Sequence, residues 1–176
     1  MKNQLLAPSP PILVKIHWKG AYMSKVDLSY SEKGFVLQTL KPSSYVKKWL
    51  LAYTKRKALP VSSLPFFPQN LSPFATKVYE EMEKVPLGAV ITYQELAAKA
   101  GSSKAFRAVG TLCKKNPFPL FFPCHRITAK SGIGGYAFGE RIKQELLSFE
   151  GYLASETAST SLLERSELTL ASSFFS

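Results

Sequence analysis

The feature that most constrains the fold of this sequence is a helix-turn-helix pattern in its second half. Thr92 is followed three residues later by Glu95, and this capping-box pair predicts a helix that ends near Ala100. A tight turn, Gly101-Ser102-Ser103, comes next, and a second helix is expected over about 104–115. A helix placed directly after a glycine turn is typical of helix-turn-helix units, so the sequence predicts a mostly helical C-terminal region.

The first third of the chain has a different sequence pattern, which is typical of strands. Residues 12–18 and 35–40 alternate in the way that strands do, and a helix is expected over 43–51. A stretch rich in Pro and Ser then precedes a helix over 75–84. The sequence therefore predicts an α+β protein, in which a small strand-containing N-terminal domain is followed by a mostly helical C-terminal domain.

These patterns divide the 176 residues into four zones. Residues 1–60 form an abbreviated, α/β-like support domain, and residues 61–73 form a linker. Residues 74–151 form the principal domain, and residues 152–176, which are rich in Ser and weakly acidic, form a flexible extension.

The charge of the chain favours a polyanionic partner. Twenty-three Lys and Arg stand against twelve Asp and Glu, which gives a net charge of +11. Such a charge suits nucleic acid or an anionic membrane surface. No apolar stretch is long enough to span a bilayer, and the start of the chain lacks the apolar segment of a signal peptide, so a cytoplasmic location is expected.

The cysteine and histidine content excludes two other classes. Two cysteines are too few for a disulfide scaffold, and a catalytic thiol needs a reducing compartment. Two histidines in addition make a four-ligand zinc site improbable, so no metal and no cofactor are expected.

The second helix of the helix-turn-helix is two-sided. At 100° per residue, one arc is apolar and the opposite arc is basic with small residues. The apolar arc holds Ala105, Phe106, Val109, Leu112 and Cys113, and the basic arc holds Lys104, Arg107, Ala108, Thr111, Lys114 and Lys115. Small side chains let a backbone approach a groove, and cations neutralise phosphates, so this helix is a candidate nucleic-acid contact.

A run of residues just after this helix carries candidate nucleophilic chemistry. Cys124 and His125 are adjacent, Asn116 precedes them, and Glu150 follows. A thiol needs a base to become a nucleophile, and a carboxylate can hold that base in one tautomer. Neighbours on an extended strand point to opposite faces, so a bridging water or a bend is expected between the thiol and the imidazole. Because the helical geometry sends Cys113 into the core, Cys124 is the better nucleophile.

Five motifs in order resemble the O6-alkylguanine-DNA alkyltransferases, the single-turnover DNA repair methyltransferases. They are Phe106-Arg107-Ala108-Val109-Gly110, Asn116-Pro117, Pro123-Cys124-His125-Arg126, Gly134-Gly135-Tyr136, and Leu146-Leu147 with Glu150-Gly151. The resemblance covers about 73–151, and five motifs in register are far more specific than any one of them.

The resemblance implies a role for each matching position. Cys124, His125, Glu150, Asn116 and Tyr93 would be catalytic, and Tyr93, Arg107, Pro119, Gly134 and Tyr136 would bind the substrate base. Arg107 would fill the space left by a guanine turned out of the duplex, and Tyr93 would donate to that base. The residues expected to contact DNA are Gln94, Ser102, Lys104, Arg107, Ala108, Thr111, Lys114 and Lys130.

Two positions depart from the family pattern. Ala137 stands where many members have a hydroxyl or another small residue, and this removes a side-chain hydroxyl contact to the base. Phe138 replaces a frequent glycine, which is expected to alter the loop and its tolerance for bulky alkyl groups.

The implied reaction is an irreversible transfer of an alkyl group from O6-alkylguanine in double-stranded DNA to Cys124, once per molecule, by a monomer that does not bind membranes. Two alternatives stay open. A non-catalytic protein that binds alkylated DNA would share the scaffold without needing the thiol. A cysteine hydrolase would use the same side-chain types without explaining the basic helix.

Overall fold

Three strands form the N-terminal sheet of the computed structural model, which describes residues 9–41 and 43–152. They are β1 (Ile12–Lys19), β2 (Tyr22–Tyr30) and β3 (Val36–Thr39), in the order β2-β1-β3. The central strand β1 pairs antiparallel with β2 and parallel with β3. The sequence predicted β1 and β3 but not β2, because a register shift at His17/Trp18 breaks the alternation of the buried residues on β2.

One helix covers the inner face of this sheet. Helix α1 (Ser44–Thr54) begins at the N-cap Ser43, whose hydroxyl accepts from the Val46 amide. The helix buries Val46, Trp49, Leu50 and Tyr53 in one cluster with Ile12, Val14 and Ile16 of β1. The helix expected over 43–51 is therefore confirmed, and it extends one turn further.

The segment 61–73 is held against the sheet. Its Pro65 carbonyl accepts from the Met23 amide, and the Phe67 amide donates to the Met23 carbonyl. Val61 and Leu64 are buried in the same cluster as β1 and α1. This segment connects the two halves of the chain while contributing side chains to the core.

The second half of the chain is mainly helical. Its elements are α2 (Pro73–Glu83), β4 (Ile91–Thr92), α3 (Tyr93–Lys99), α4 (Phe106–Lys114), β5 (Ile127–Thr128) and α5 (Glu140–Glu150). The Thr92–Glu95 capping box is present with both of its hydrogen bonds, and the turn over 100–105 leads into α4. The α+β fold and the helix-turn-helix expected from the sequence are confirmed.

Two apolar clusters make up the core. One combines the N-terminal sheet and α1 with Phe118, Leu120 and Phe121 and with the apolar face of α5. The other joins α2, α3 and α4 to Cys124 and Ile127. The segment 118–127 thus lies between the two clusters, which fixes the position of the residues that follow it. No helix among the described residues has the length and apolarity needed to cross a bilayer.

Candidate active site

Cys124 lies in a tight 3-10 turn. The turn spans Cys124–Arg126 and leads directly into β5, which pairs in parallel with β4. The sequence predicted either a bridging water or a bend between Cys124 and His125, and the structure shows a bend, because the chain turns after Pro123 before it enters β5. The short β4–β5 pair sets Tyr93, the first residue of α3, against the same region of the chain.

Asn116 ties this turn to the end of α4. Its Nδ2 donates to the Phe122 carbonyl at 2.7 Å and to Cys124 Sγ at 3.2 Å. Its Oδ1 accepts from the Phe118 amide at 3.0 Å. Every polar atom of this buried amide therefore has a partner, and the sulfur is held by a side chain 8 residues upstream.

His125 is completely buried and is paired with Glu150. The distance between His125 Nε2 and Glu150 Oε1 is 2.8 Å. An ionised carboxylate can only accept, so Nε2 carries the hydrogen and Nδ1 is the basic nitrogen. Nδ1 has no hydrogen-bond partner in the part of the chain that the structure describes.

The Glu150 carboxylate accepts hydrogen bonds from three buried side chains. Its Oε1 accepts from Tyr53 at 2.8 Å and from Arg126 at 2.9 Å as well as from His125, and its Oε2 accepts from Arg126 Nε at 2.7 Å. Burial alone would raise the pKa of Glu150, but His125 and Arg126 hold that pKa at about 2. Glu150 is therefore ionised at every physiological pH.

The imidazole and the thiol are neutral in the resting site. Burial lowers the pKa of His125 despite the opposing effect of Glu150. Burial also raises the pKa of Cys124, and the hydrogen bond from Asn116 only partly offsets this. The site thus holds a protonated thiol beside a neutral imidazole, so any reaction in which this sulfur attacks would first require loss of the thiol proton.

A cavity of about 320 Å³ opens onto Cys124. It is lined by Tyr93, Gly110, Cys113, Lys114, Cys124, Gly135, Tyr136 and Ala137. The structure therefore brings Tyr93, Tyr136 and Cys124 together around one space. Burial raises the pKa of Tyr93 to about 12, so its hydroxyl remains a donor.

Two predicted positions, Pro119 and Phe106, differ from expectation, and Cys113 has a contact that was not expected. Cys113 is buried as expected, yet it also lines the cavity. Pro119 is buried away from the cavity, because its neighbours Phe118 and Leu120 pack into the N-terminal cluster. Phe106 was expected on the packed face of α4 but is 44% exposed, since it stands at the first turn of the helix, beyond the core.

The loop between β5 and α5 forms one wall of the cavity. Gly134 has a φ of +72°, and a methyl group on it would stand 3.2 Å from the Ala129 amide and 3.7 Å from the Tyr93 ring. The loop therefore passes close to Tyr93 with its backbone, which requires glycine there. Ala137 lines the cavity, and Phe138 packs on Tyr136 with ring centroids 5.5 Å apart.

The residues expected to contact DNA all lie on the surface. They are Gln94, Ser102, Lys104, Arg107, Ala108, Thr111, Lys114 and Lys130, and each is exposed. They belong to the start of α3, the turn, α4 and the loop after β5. Because Lys114 also lines the cavity, this surface is continuous with the opening above Cys124.

Three residues that the sequence did not single out complete the site. Tyr53 and Arg126 bond to Glu150, and Arg126 also donates to the Val85 carbonyl at 2.6 Å. Lys143 is fully buried and donates to the Ile127 carbonyl at 2.7 Å and the Gly135 carbonyl at 3.4 Å. Lys143 occupies an otherwise apolar position of α5, a signal that could have pointed to a buried role.

The fold and the site together define a helix-turn-helix domain with a buried cysteine, Cys124, at a cavity beside its second helix. Residues 73–152 match the family model described as the 6-O-methylguanine DNA methyltransferase, DNA binding domain. This match covers a little under half of the chain, and over these residues the chain is similar to the O6-methylguanine-DNA methyltransferases.

Individual relatives show the same similarity. The chain is 45% identical over 84 residues to a methylated-DNA–protein-cysteine methyltransferase of Metallosphaera sedula, a match that covers 48% of this chain and 53% of the relative. The chain thus spans about half the length of the curated relatives it matches.

Solved structures extend the likeness into the N-terminal half. The O6-methylguanine-DNA methyltransferase of Pyrococcus kodakaraensis matches with a TM-score of 0.60 and 28% identity, over 80% of this chain and 99% of that one. A Mycobacterium tuberculosis OGT in complex with DNA matches with a TM-score of 0.61 and 24% identity, over 77% and 85%, and shows the shared fold.

Proposed function

We propose that this chain repairs DNA by transferring an alkyl group from O6-alkylguanine to Sγ of Cys124. The observation that carries the proposal is a buried thiol that opens into a cavity beside an exposed basic helix, with the His125–Glu150 pair next to it. The relatives' names, and a structural neighbour solved with DNA, support double-stranded DNA as the partner.

The reaction is a direct displacement. No direct hydrogen bond joins Nδ1 of His125 to the thiol among the described residues, so the thiol proton passes to Nδ1 through a bridging water, and the sulfur lone pair attacks the alkyl carbon. A C–S bond forms as the bond from that carbon to O6 breaks, and the electron pair of the broken bond stays on the purine. Glu150 stabilises the imidazolium that forms, because it is already ionised beside Nε2.

Tyr93 is placed to help the leaving purine. Its phenol lines the cavity and stays protonated, so it can donate to a ring nitrogen of the guanine as negative charge develops there. Tyr136 closes the other side of the cavity near the sulfur, and burial and the adjacent Cys124 raise its pKa well above the ordinary value.

The lesion has to leave the duplex to reach this sulfur. Cys124 is only 2% exposed, so a stacked base cannot contact it. The exposed face of α4 would lie in the groove, with Arg107 filling the gap left by the base and Lys104 and Lys114 contacting phosphates. No resident metal or cofactor is required for these steps.

The product explains why each molecule would act once. A thioether has no easy hydrolytic route back to a thiol, so Cys124 stays alkylated. A thiol with this role has to be kept reduced, which favours a cytoplasmic location for the protein.

Mass spectrometry tests the proposal. The protein is incubated with a duplex that contains one O6-methylguanine, and the Cys124 peptide should gain the mass of one methylene with a stoichiometry that stops at one. Cys124→Ser should bind the duplex without gaining mass, and Cys113→Ser should still transfer. Tight lesion binding with no mass gain in the wild type would favour the non-catalytic alternative, and turnover of an ester would favour a hydrolase.

A further inference from the structure

The N-terminal region reaches the candidate active site through a buried hydrogen bond. Tyr53 lies near the end of α1, and its hydroxyl donates to Oε1 of Glu150 at 2.8 Å. The two residues are 97 positions apart in the chain. Glu150 is also the partner of His125, so a side chain of the N-terminal region stands one residue away from the proposed base.

Packing fixes the direction of this phenol. Tyr53 is 2% exposed, and its ring stacks parallel to Trp49 with centroids 5.7 Å apart and an angle of 9°. Phe149 packs on it at 5.5 Å. Because the ring packs against other rings on two sides, its χ1 and χ2 angles have little freedom. This packing directs the Tyr53 hydroxyl toward Glu150.

The hydroxyl acts on the same oxygen that accepts from His125. Oε1 receives the phenol, the imidazole and one nitrogen of Arg126, whereas Oε2 receives the other nitrogen of Arg126. Burial, and then the charge of Glu150, raise the pKa of Tyr53 well above its ordinary value, so the phenol is always a donor here. It therefore takes up part of the carboxylate charge and restricts the rotation of the group.

We propose that Tyr53 is a positioning residue for alkyl transfer, which holds the Glu150 carboxylate in the orientation that keeps His125 Nδ1 as the base. The N-terminal region would then be part of the active site rather than a support alone. The inference rests on the proposed function, because it concerns the base of that reaction.

Several charged or titratable groups face His125 and set its protonation. Glu150 and Lys143 come from α5, and Cys124 and Arg126 come from the turn that contains His125. Tyr136 lies in the adjoining loop, with its ring centroid 6.5 Å from that of His125. Tyr53→Phe keeps all of these groups and both ring contacts and removes only the hydroxyl.

The sign of the effect follows from the shared oxygen. Without the phenol, the charge on Oε1 is less neutralised and stabilises the imidazolium more strongly. The pKa of His125 should therefore rise, by about one pH unit. The acid limb of the rate of methyl transfer should move to higher pH by the same amount. The rate above that limb should fall roughly tenfold, because the carboxylate, then held by Arg126 and His125 alone, orients the ring less firmly.

Nitrogen-15 NMR of the imidazoles measures the change in the pKa of His125 without any DNA. The chain has two histidines, so His17→Gln assigns the signals. Single-turnover transfer from an O6-methylguanine duplex, followed at several pH values, measures the change in the rate of methyl transfer. Thr39→Val is the matched control, since it removes the hydroxyl that accepts a hydrogen bond of 2.7 Å from Trp18 Nε1 in the N-terminal sheet and leaves Glu150 untouched.

A stronger donor gives a test of opposite sign. Replacing Tyr53 with 3,5-difluorotyrosine keeps the ring and strengthens the hydrogen bond, so the pKa of His125 should fall. This variant keeps the proposal testable if Tyr53→Phe does not fold.

The outcomes separate the two proposals. An unchanged His125 titration in the position-53 variants, or an equal shift in Thr39→Val, overturns the role of Tyr53. A wild-type protein that never transfers the methyl group overturns the proposed function, while a His125 shift confined to position 53 would still support the positioning of His125 by Tyr53.

Discussion

A methyl group on Gly88 would stand 2.9 Å from the carbonyl oxygen of Glu150. Gly88 has a φ of +77° and lies in the turn between α2 and β4. The turn thus lies in close contact with the backbone of Glu150, the last residue of α5, whose carboxylate is at the centre of the site. Both the backbone conformation and the space require glycine at this position.

We expect Gly88→Ala to destabilise the protein and slow methyl transfer, because the backbone of Glu150 has to move. Gly20→Ala is the matched control, since Gly20 also has a positive φ, of +60°, but nothing lies within 4 Å of the added group. The left-handed conformation costs each variant about 1–2 kcal/mol, and overpacking adds roughly 1–3 kcal/mol for Gly88→Ala alone. Urea denaturation and single-turnover kinetics measure both effects. Equal losses of stability and of transfer rate in the two variants would show that contact with Gly88 does not fix the position of Glu150.

Acid should remove the stabilisation that Glu150 provides. Its pKa is lowered from 4.5 to about 2 in the fold, so the contribution is complete above pH 4.5 and is lost as the pH falls toward 2. A shift of this size corresponds to about 3 kcal/mol. Glu150→Gln should therefore be much less stable than the wild type at pH 7, with a difference that narrows toward pH 3.

The free energy of unfolding at several pH values tests this expectation. Glu80→Gln, at a surface position, controls for the loss of one negative charge. A gap between wild type and Glu150→Gln that is as large at pH 3 as at pH 7 would contradict the assigned ion pairs.

Local signals were enough to predict the helix-turn-helix. The Thr92–Glu95 capping box and the glycine turn act over a few residues, and the structure contains both. A bend at Cys124 was one of two expectations, but the sequence could not decide between them, because the turn forms where residues 118–127 lie between two apolar clusters. Packing between distant elements, rather than local propensity, decides such a conformation.

Contacts between distant residues also limit what the sequence predicts about the surroundings of Glu150. The pairing of His125 with Glu150 was inferred from residue types, and the structure brings them together. The contact with Tyr53 crosses 97 residues and leaves no periodic trace in the sequence. Strand β2 was missed for a related reason, since its bulge removes the alternation on which prediction relies.

The thiol of Cys124 should react slowly with iodoacetamide at neutral pH. Burial raises its pKa, so the reactive thiolate is scarce, and the labelling rate should keep rising beyond pH 9. Mass spectrometry of the digest follows the Cys124 peptide, with the Cys113 peptide as an internal comparison. Asn116→Ala should slow labelling further, because it removes the donor at 3.2 Å from the sulfur. A plateau already reached near pH 7 would show that the resting thiol is ionised.

Lys143→Met should weaken the wall of the cavity. The variant keeps an apolar stem but leaves the carbonyls of Ile127 and Gly135 without their buried donor, at a cost of about 1–3 kcal/mol. Methyl transfer should slow as the loop that carries Gly135 and Tyr136 loosens, and hydrogen exchange should rise in that loop. Lys48→Met, at an exposed position of α1, should change neither property. Unchanged exchange in the loop of Lys143→Met would exclude this anchoring role.

Arg107 and Lys104 should affect DNA binding in different ways. Both are exposed, but Lys104 precedes α4 whereas Arg107 lies in its first turn. If Lys104 contacts a phosphate, Lys104→Ala should lower the slope of log Kd against log salt by about 1, with the same effect on damaged and undamaged duplexes. If Arg107 fills the gap that the displaced base leaves, Arg107→Ala should instead slow methyl transfer more than it weakens binding, because that gap is no longer filled. Fluorescence anisotropy at several salt concentrations, combined with single-turnover rates, separates the two effects. Lys47→Ala, on the exposed side of α1, is the control, and a drop in slope as large as that of Lys104→Ala would mean that the DNA surface is not centred on α4.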